Sequence, residues 1–291
     1  MFRTILVPVT GFAADAAVLD TAYVAGRTFS AHIQCLHVRA DPTQLTMRAS
    51  LYDFGTGASG AEFFAALQEE SDLRAKRAHV AFAEFAKRWT IPSVDLPPGP
   101  HGVTAAWREV QGDPLDSTIA LARHHDLVVM GRASDAGISL AGLGAVLIGG
   151  GKPLLLAAAR TPESIGSTIA IAWKNTPESA RAIAASLPLL SRARKVVVLT
   201  ADEDSKAAGA VLESAESVAT QLRWNGVKAE ARYVIPGGRL VPDAVLETAT
   251  ALGADVLVMG GYGHSRVREL VFGGFTRQLL TASSLPVLLF H

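Results

Sequence analysis

The sequence predicts an α/β protein made of two tandem doubly wound domains, each with a five-stranded parallel sheet and helices on both faces. The length, an internal repeat and a regular alternation of apolar strand segments with helical patterns lead to this prediction. A chain of 291 residues corresponds to about two domains of about 150 residues each. With 49% hydrophobic and 19% charged residues, the composition is globular and excludes a disordered or fibrous chain.

The internal repeat is clearest in two seven-residue segments. Residues 125–131 (HDLVVMG) match residues 254–260 (ADVLVMG) at an offset of 129, and residues 5–9 match residues 169–173 at an offset of 164. A duplication accounts for both matches. Because the two offsets differ by 35, the first copy holds 35 more residues than the second between these segments.

The extra residues are expected in loops of the first copy. Pro, Thr, Ser and Gly accumulate in residues 41–61 and 97–102, which predicts two inserted loops. Residues 159–166 have a similar composition and predict a linker. The chain therefore divides into a first half, residues 1–158, and a second half, residues 167–291.

Strand and helix patterns alternate strictly in the second half. Apolar strand segments are predicted at residues 168–173, 194–199, 229–234, 255–259 and 286–290. Helical patterns are predicted at residues 177–190, 205–224, 240–252 and 270–281. This order indicates parallel strands joined by helical crossovers. A parallel sheet covered on both faces also explains why residues 256–259 (VLVM) are apolar without alternation.

Charge and cysteine content narrow the range of partners and locations. Lys plus Arg and Asp plus Glu both number 27, so the chain lacks the basic excess typical of proteins that bind nucleic acid or anionic membranes. No stretch of about 20 apolar residues suggests a membrane span. The single cysteine, Cys35, lies in an apolar strand pattern and indicates a buried packing role. We therefore expect a cytoplasmic protein with no nucleic-acid or membrane partner.

A glycine-rich segment follows the fourth predicted strand of the second half. In an open parallel sheet, ligands bind beyond the carboxyl ends of the strands, where the strand order reverses. Gly260 and Gly263 follow that strand directly, and Gly273 and Gly274 stand at the start of the last helix. Glycines let backbone amides approach an anion, and a helix N-terminus favours phosphate. The segment predicts a polyphosphate site, with a tight loop packed on the sheet as the purely structural alternative.

At these residues the chain resembles the universal stress protein family. Nucleotide-binding members of that family carry Gly, two residues, Gly, nine residues, and then Gly followed by Ser or Thr. Gly260, Gly263 and Gly273 fit this spacing. The resemblance extends over both halves. It implies an adenine nucleotide alpha hydrolase-like fold, binding of ATP or another adenine nucleotide with Mg²⁺, and a stress-response or regulatory role.

The resemblance also implies how the two halves associate. Fifth strands mediate dimers in the family, so the apolar residues 154–156 and 287–289 are expected to pair within one chain. The tandem chain would then be an internal pseudo-dimer. Homodimerisation through helix faces is left open by the sequence.

The nucleotide-binding residues are expected at or after the ends of the first and fourth strands of the second half and at the start of its last helix. The candidates are Ala172, Trp173, Lys174, Met259, Gly260, Gly263, His264, Ser265, Arg266, Gly273, Gly274, Phe275 and Thr276. Two of them depart from the family pattern. Lys174 stands where members carry an Asp that contacts the ribose, and Gly274 replaces the Ser or Thr. Lysine can reach phosphate as a point charge but cannot accept hydrogen bonds from ribose, while Thr276 offers a substitute hydroxyl.

The corresponding site of the first half is expected to be degenerate. Thr10 takes the place of the Asp, Gly131 is retained, Ser134 replaces the second glycine, and Gly144 is followed by alanine. The loop also contains Asp135 and no Lys or Arg between residues 133 and 143. We therefore expect the ligand in the second half.

Two other functions fit the same sequence. The loss of the Asp and of the Ser or Thr favours an interaction protein that acts through its tandem or dimer surfaces without a nucleotide. A slow ATP hydrolase is the third hypothesis, because His264 and Ser265 would lie near the phosphates. The sequence contains no pattern typical of acid–base or covalent catalysis and no metal-ligand spacing, so neither a catalytic residue nor a metal site is assigned. Trp173 could flank an adenine or belong to the core.

Overall fold

A computed structural model describes residues 1–40, 58–94, 102–132, 137–202, 208–261 and 274–291. The strands are β1 (Thr4–Pro8), β2 (His32–Ala40), β3 (Thr104–Gly112), β4 (Leu127–Met130), β5 (Leu154–Leu156), β6 (Thr168–Ala172), β7 (Lys195–Thr200), β8 (Ala229–Tyr233), β9 (Val256–Gly260) and β10 (Val287–Phe290). The helices are α1 (Asp15–Arg27), α2 (Ala58–Trp89), α3 (Pro114–Ala122), α4 (Leu140–Gly150), α5 (Pro177–Leu190), α6 (Ala208–Trp224), α7 (Val241–Ala251) and α8 (Gly274–Ala282). Strands and helices alternate along both halves, which confirms the predicted α/β class.

The strands of both halves join in one sheet. Its order is β3-β2-β1-β4-β5-β10-β9-β6-β7-β8. All pairs within each half are parallel, and β5 and β10 pair antiparallel, with Leu154 opposite Leu289 and Leu156 opposite Val287. The strand order therefore reverses twice, between β1 and β4 and between β6 and β9. These are the two places where a parallel sheet opens a crevice for a ligand.

The core lies on both faces of this sheet. Successive side chains of a strand point to opposite faces, so Val256 and Val258 pack in one apolar cluster while Leu257 and Met259 pack in the other. Burial on both sides accounts for the unbroken apolar sequence of β9. Among the described helices, none combines the length and the apolar character that a bilayer crossing requires.

The extra residues of the first half do not lie only in loops, contrary to the sequence-based expectation. Within the described residues, helix α2 has 32 residues and its counterpart α6 has 17, so part of the excess lengthens a helix. Residues 61–91 contain neither Gly nor Pro and are rich in Ala, Glu, Lys and Arg, which favours a long helix. The remainder of the two predicted insertions, residues 41–57 and 97–101, lies outside the described residues.

Each half uses an equivalent aspartate to hold the chain that enters its first strand. Asp255 accepts hydrogen bonds from the Ser164 hydroxyl at 2.7 Å and from the backbone N–H groups of Gly166 and Ser167, both at 2.9 Å. Asp126, 129 residues earlier, accepts from the backbone of Arg3 and Thr4. Because Asp255 binds residues 164–167, the end of the predicted linker is attached to the second half.

Replacing Asp255 with alanine should destabilise the second half. The change removes three hydrogen bonds to a half-buried carboxylate and leaves two backbone N–H groups without their acceptor. We expect the free energy of unfolding in urea to fall by about 2 kcal/mol. Glu247→Ala, which removes an exposed ion pair with Arg239, is the control and should change it by less than about 1 kcal/mol. Equal effects of the two changes would contradict the anchoring role.

Candidate functional site

The reversal between β6 and β9 brings together the two segments that the sequence predicts as a binding site. Ala172 at the end of β6 is the register partner of Met259 near the end of β9. Trp173 and Lys174 follow β6, while Gly260 and Gly261 end and follow β9. The adjacent strands thus lead into helices on opposite faces of the sheet, and their ends form the two walls of a crevice.

The indole of Trp173 belongs to the core. The residue is 8% exposed and lies in the same apolar cluster as Ile171 and Val198. Its Nε1–H donates to the hydroxyl of Ser214 in α6 at 3.0 Å. A buried indole whose N–H has a hydrogen-bond partner is fixed in place. The Trp173 ring therefore supports the end of β6 from within the core.

Lys174 is the exposed cation at this edge. Its backbone carbonyl accepts the N–H of Thr176 at 2.7 Å, which turns the chain towards α5. The side chain is exposed to solvent. An ammonium group on a flexible stem at the mouth of the crevice can approach an anionic ligand.

Gly260 is required by the close approach of β9 to α5. A Cβ at this position would lie 2.6 Å from the backbone carbon of Glu178 and 2.6 Å from the backbone nitrogen of Ser179. Both atoms belong to the first turn of α5, so no side-chain movement could relieve the contact. The absence of a side chain therefore places the end of β9 directly against the N-terminal end of α5.

The first turn of α5 contains two polar residues that the sequence analysis did not select. The Thr176 hydroxyl caps the helix by accepting the N–H of Ser179. Glu178 is buried, with its carboxylate 3.7 Å from the Arg181 guanidinium. The order Thr, Pro, Glu is a helix-start signal that could have identified both. An acidic group in the first turn stabilises the helix dipole.

The opposite wall of the crevice includes the N-terminus of α8. Gly274 is its first described residue and is exposed, Phe275 and Thr276 are half-buried, and a Cβ added at Gly274 would meet none of the described atoms within 4 Å. The N-terminal amides of a helix are donors for which an anion is a favourable partner. The other predicted residues, Gly263, His264, Ser265, Arg266 and Gly273, lie outside the described residues.

In the first half, an aspartate occupies the backbone donors at the end of β1. Asp15, which is 3% exposed, accepts hydrogen bonds from the Thr10 N–H at 3.0 Å, the Thr10 hydroxyl at 3.0 Å and the Gly11 N–H at 2.7 Å. Burial raises the pKa of this carboxyl, while the hydrogen bonds from Thr10 and Gly11 lower it. These amides are therefore engaged by a group of the chain itself.

Phe12 connects two elements of the first half. The Arg74 guanidinium stacks over its ring at 4.8 Å from the centroid. A Cβ at Gly137 would lie 2.4 Å from Cε2 of this ring. Phe12 thus packs between α2 and the residues that precede α4.

Gly144 of the predicted first-half site lies inside a helix. It is buried in α4, which begins at Leu140. Ser139 caps that helix by accepting the Gly142 N–H at 3.0 Å, and this strong N-cap starts the helix four residues earlier. Gly131 directly follows β4, and Ser134 lies outside the described residues.

A cavity of about 380 Å³ lies in the first half beside Gly131. It is lined by Ala13, Ala14, Ala17, Val18, Gly131, Arg132, Ala157, Ala158 and Ala159. At the positions 164 residues after Ala14 and Ala17, the second half carries Glu178 and Arg181. The cavity is therefore walled mainly by methyl groups, a poor surface for a polyphosphate.

Neither metal ligation nor cysteine chemistry is suggested by the described part of the chain. In those residues, no three His, Cys, Asp or Glu side chains are grouped so that they could hold a metal ion. Cys35 is fully buried, as predicted, and burial strongly raises the pKa of its thiol. A thiol that stays protonated is a packing group and a poor nucleophile.

These features define a class of protein, a tandem doubly wound α/β chain with a reversal of strand order in each half of one continuous sheet. The family model described as universal stress protein family matches residues 167–291. The second half of the chain therefore matches the universal stress protein family.

Solved structures with both halves share the fold. A universal stress protein from Archaeoglobus fulgidus is 16% identical, with 99% of this chain and 96% of that chain covered and a TM-score of 0.64. A Pseudomonas aeruginosa protein assigned to the same family is 14% identical over 99% of this chain and 93% of that one, with a TM-score of 0.57. At these identities the likeness is one of fold.

A curated universal stress protein from Synechocystis sp. matches a short segment. The two are 54% identical over 37 residues, which is 13% of this chain and 13% of the relative. The match thus spans a small part of the relative's length.

Gly260→Ala should destabilise the protein, and Gly274→Ala should not. The first change forces a methyl group against the backbone of Glu178 and Ser179, whereas the second places it in open space. We expect a loss of about 1–3 kcal/mol for Gly260→Ala and a change within about 0.5 kcal/mol for Gly274→Ala. Urea unfolding measures both. Equal free energies of unfolding for the two variants would contradict the close packing of β9 against α5.

Asp15 should make stability depend on pH. Its pKa is raised in the folded state, mainly by burial, so its contribution is greatest below the ordinary Asp pKa and is lost as pH rises through the raised value. Relative to Asp15→Asn, the free energy of unfolding of the unmodified protein should fall as pH rises above about 4 and then level off. Asp116→Asn, at an exposed position in the first turn of α3, is the control. If the free energy of unfolding of the unmodified protein rose with pH relative to Asp15→Asn, the raised pKa of the buried carboxyl would be contradicted.

Proposed function

We propose that this chain is a tandem universal stress protein that binds an adenine nucleotide, ATP, in its second half and acts as a cytoplasmic stress-response or regulatory module. One observation carries the proposal. The Gly260, Gly263 and Gly273 spacing falls in the half that matches the family, directly after the strand that borders the β6–β9 reversal. The polyphosphate is the part of ATP that this arrangement suits best.

The phosphates would lie between Lys174 and the N-terminus of α8. The exposed ammonium supplies a positive charge, and the first amides of α8 supply directional donors. Gly274 has no hydroxyl to donate to a phosphate, but the half-buried Thr276 follows it within the same turn. Thr276 would then take the role of the missing Ser or Thr.

Magnesium would bind through the nucleotide. Mg²⁺ prefers oxygen ligands and keeps several waters. Phosphate oxygens of the nucleotide, together with water, can therefore supply most of its ligands. The one buried carboxylate in the described part of the crevice, Glu178, faces the Arg181 guanidinium. The residues present therefore fit a magnesium ion only as a companion of bound polyphosphate.

The first half would act as a structural and regulatory partner. Its crevice holds the Asp15 carboxylate and the Phe12 ring, both supplied by the chain itself. The antiparallel pairing of β5 with β10 would take the place of a dimer contact and make the chain an internal pseudo-dimer. Homodimerisation through the helix faces is a separate question that light scattering can answer.

The alternative function is an interaction protein that needs no nucleotide. The presence of Lys174 instead of an acidic residue favours it, because no carboxylate at that position can accept hydrogen bonds from ribose. Partners that remain bound after nucleotide is stripped would support this alternative. A slow hydrolase would release phosphate from ATP above the buffer rate over hours.

The nucleotide proposal is tested by native mass spectrometry and calorimetry with ATP at up to millimolar concentration. The unmodified protein should bind one ATP. Gly263→Asp should abolish that binding because it places a carboxylate among the phosphates. Ser134→Asp, the equivalent change 129 residues earlier in the first half, is the matched control and should leave ATP binding intact.

Two results would overturn the proposal. One is the absence of any ATP signal at millimolar concentration in the unmodified protein. The other is binding that Gly263→Asp leaves unchanged while Ser134→Asp abolishes it, since the ligand would then lie in the first half.

A further inference from the structure

Arg132 is a first-half residue with a side chain that reaches the second half. It directly follows Gly131 at the end of β4 and is 6% exposed. Its Nε–H donates to the Ala157 carbonyl at 3.0 Å, within the first half. Its two terminal nitrogens donate to the carbonyls of Leu280 at 3.3 Å and Leu285 at 3.0 Å. One guanidinium therefore joins the residue after β5 to the last turn of α8 and to the segment between α8 and β10.

The contact falls on the helix that carries the proposed phosphate site. Leu280 lies in the last turn of α8, where backbone carbonyls lack partners within the helix and a cation is favoured by the helix dipole. Gly274 lies at the other end of the helix, six residues before Leu280, or about 9 Å along the axis at 1.5 Å per residue. Leu279 and Leu280 bury this helix in the core. A guanidinium at one end and a phosphate at the other would thus act on the same short, packed helix.

The second half has no equivalent of this arginine. The position 129 residues after Arg132 is Gly261. A Cβ at Gly261 would lie 3.1 Å from Cδ2 of Leu147 in α4, so the approach of α4 leaves little room for a long side chain. The contact is therefore not reciprocal. An arginine of the first half binds the last helix of the second half, while the equivalent position of the second half is a glycine.

We propose that Arg132 is a positioning residue through which the first half sets the phosphate affinity of the second half. It holds the C-terminal end of α8 and thereby fixes the direction of the amides at its N-terminus. The inference rests on the proposed nucleotide function. It gives the first half a role in ligand binding that does not require a nucleotide of its own.

The test compares Arg132→Met and Arg132→Lys with a matched control. Arg123→Met removes a similar contact, since the Arg123 Nε–H donates to the Gly149 carbonyl at 3.0 Å near the C-terminal end of α4, but that contact stays within the first half. Calorimetry measures the affinities for ATP and for adenosine. Hydrogen exchange measures the protection of the α8 amides without ligand.

We expect Arg132→Met to weaken ATP binding by about fivefold or more while the affinity for adenosine stays unchanged. Arg132→Lys should give an intermediate loss, and Arg123→Met none. Faster exchange of the α8 amides should accompany the loss. A general loss of folding would weaken both ligands, so the difference between ATP and adenosine identifies positioning; if Arg132→Met does not fold, Arg132→Lys provides that comparison.

The outcomes separate the two proposals. If the unmodified protein binds ATP and the Arg132 variants bind it equally well, the positioning role is wrong and the nucleotide function stands. If ATP and adenosine weaken equally in Arg132→Lys, Arg132 is only a stabilising residue. If the unmodified protein binds no ATP, the nucleotide function fails, and the affinity role of Arg132 fails with it.

Discussion

The antiparallel pairing of β5 with β10 is the contact on which the arrangement of the two halves depends. Both strands are short and apolar, and each would otherwise be an exposed edge of a five-stranded sheet. Their pairing removes both edges and produces one continuous sheet. It also brings the end of β4 close to α8, so that a side chain from the first half can reach a helix of the second.

The two copies differ at the carboxyl ends of their strands and where they contact each other. In the first half, Asp15 engages the amides after β1, and the Phe12 ring packs against Arg74 of α2. In the second half, Lys174 is exposed at the equivalent place. The contacts between halves differ in the same way, because Arg132 faces α8 whereas Gly261 faces Leu147. The two copies of the duplicated fold thus carry different residues at their strand reversals and in the contacts between them.

The repeated framework explains how such divergence is tolerated. Asp126 and Asp255 hold the entry to the first strand of each half through the same kind of hydrogen bonds. Apolar residues on both faces of β4 and β9 bury the centre of each sheet. Since stability depends on these positions, residues at the carboxyl ends of the strands could change their chemistry while the fold was retained.

The sequence by itself determined the fold class, the duplication and most strand positions, because a buried parallel strand requires an apolar run and a helix requires a 3.6-residue period. It also predicted a ligand site at Gly260, Lys174 and Gly274, and the structure places Lys174 just after β6 and Gly260 at the end of β9. It missed the length of α2, the Asp15 contacts, the buried Glu178 and the contact of Arg132 with α8. The length of α2 follows from a local helix preference, which the glycine-rich residues directly before the helix concealed. The others join residues far apart or depend on side-chain direction, so only the tertiary structure decided them.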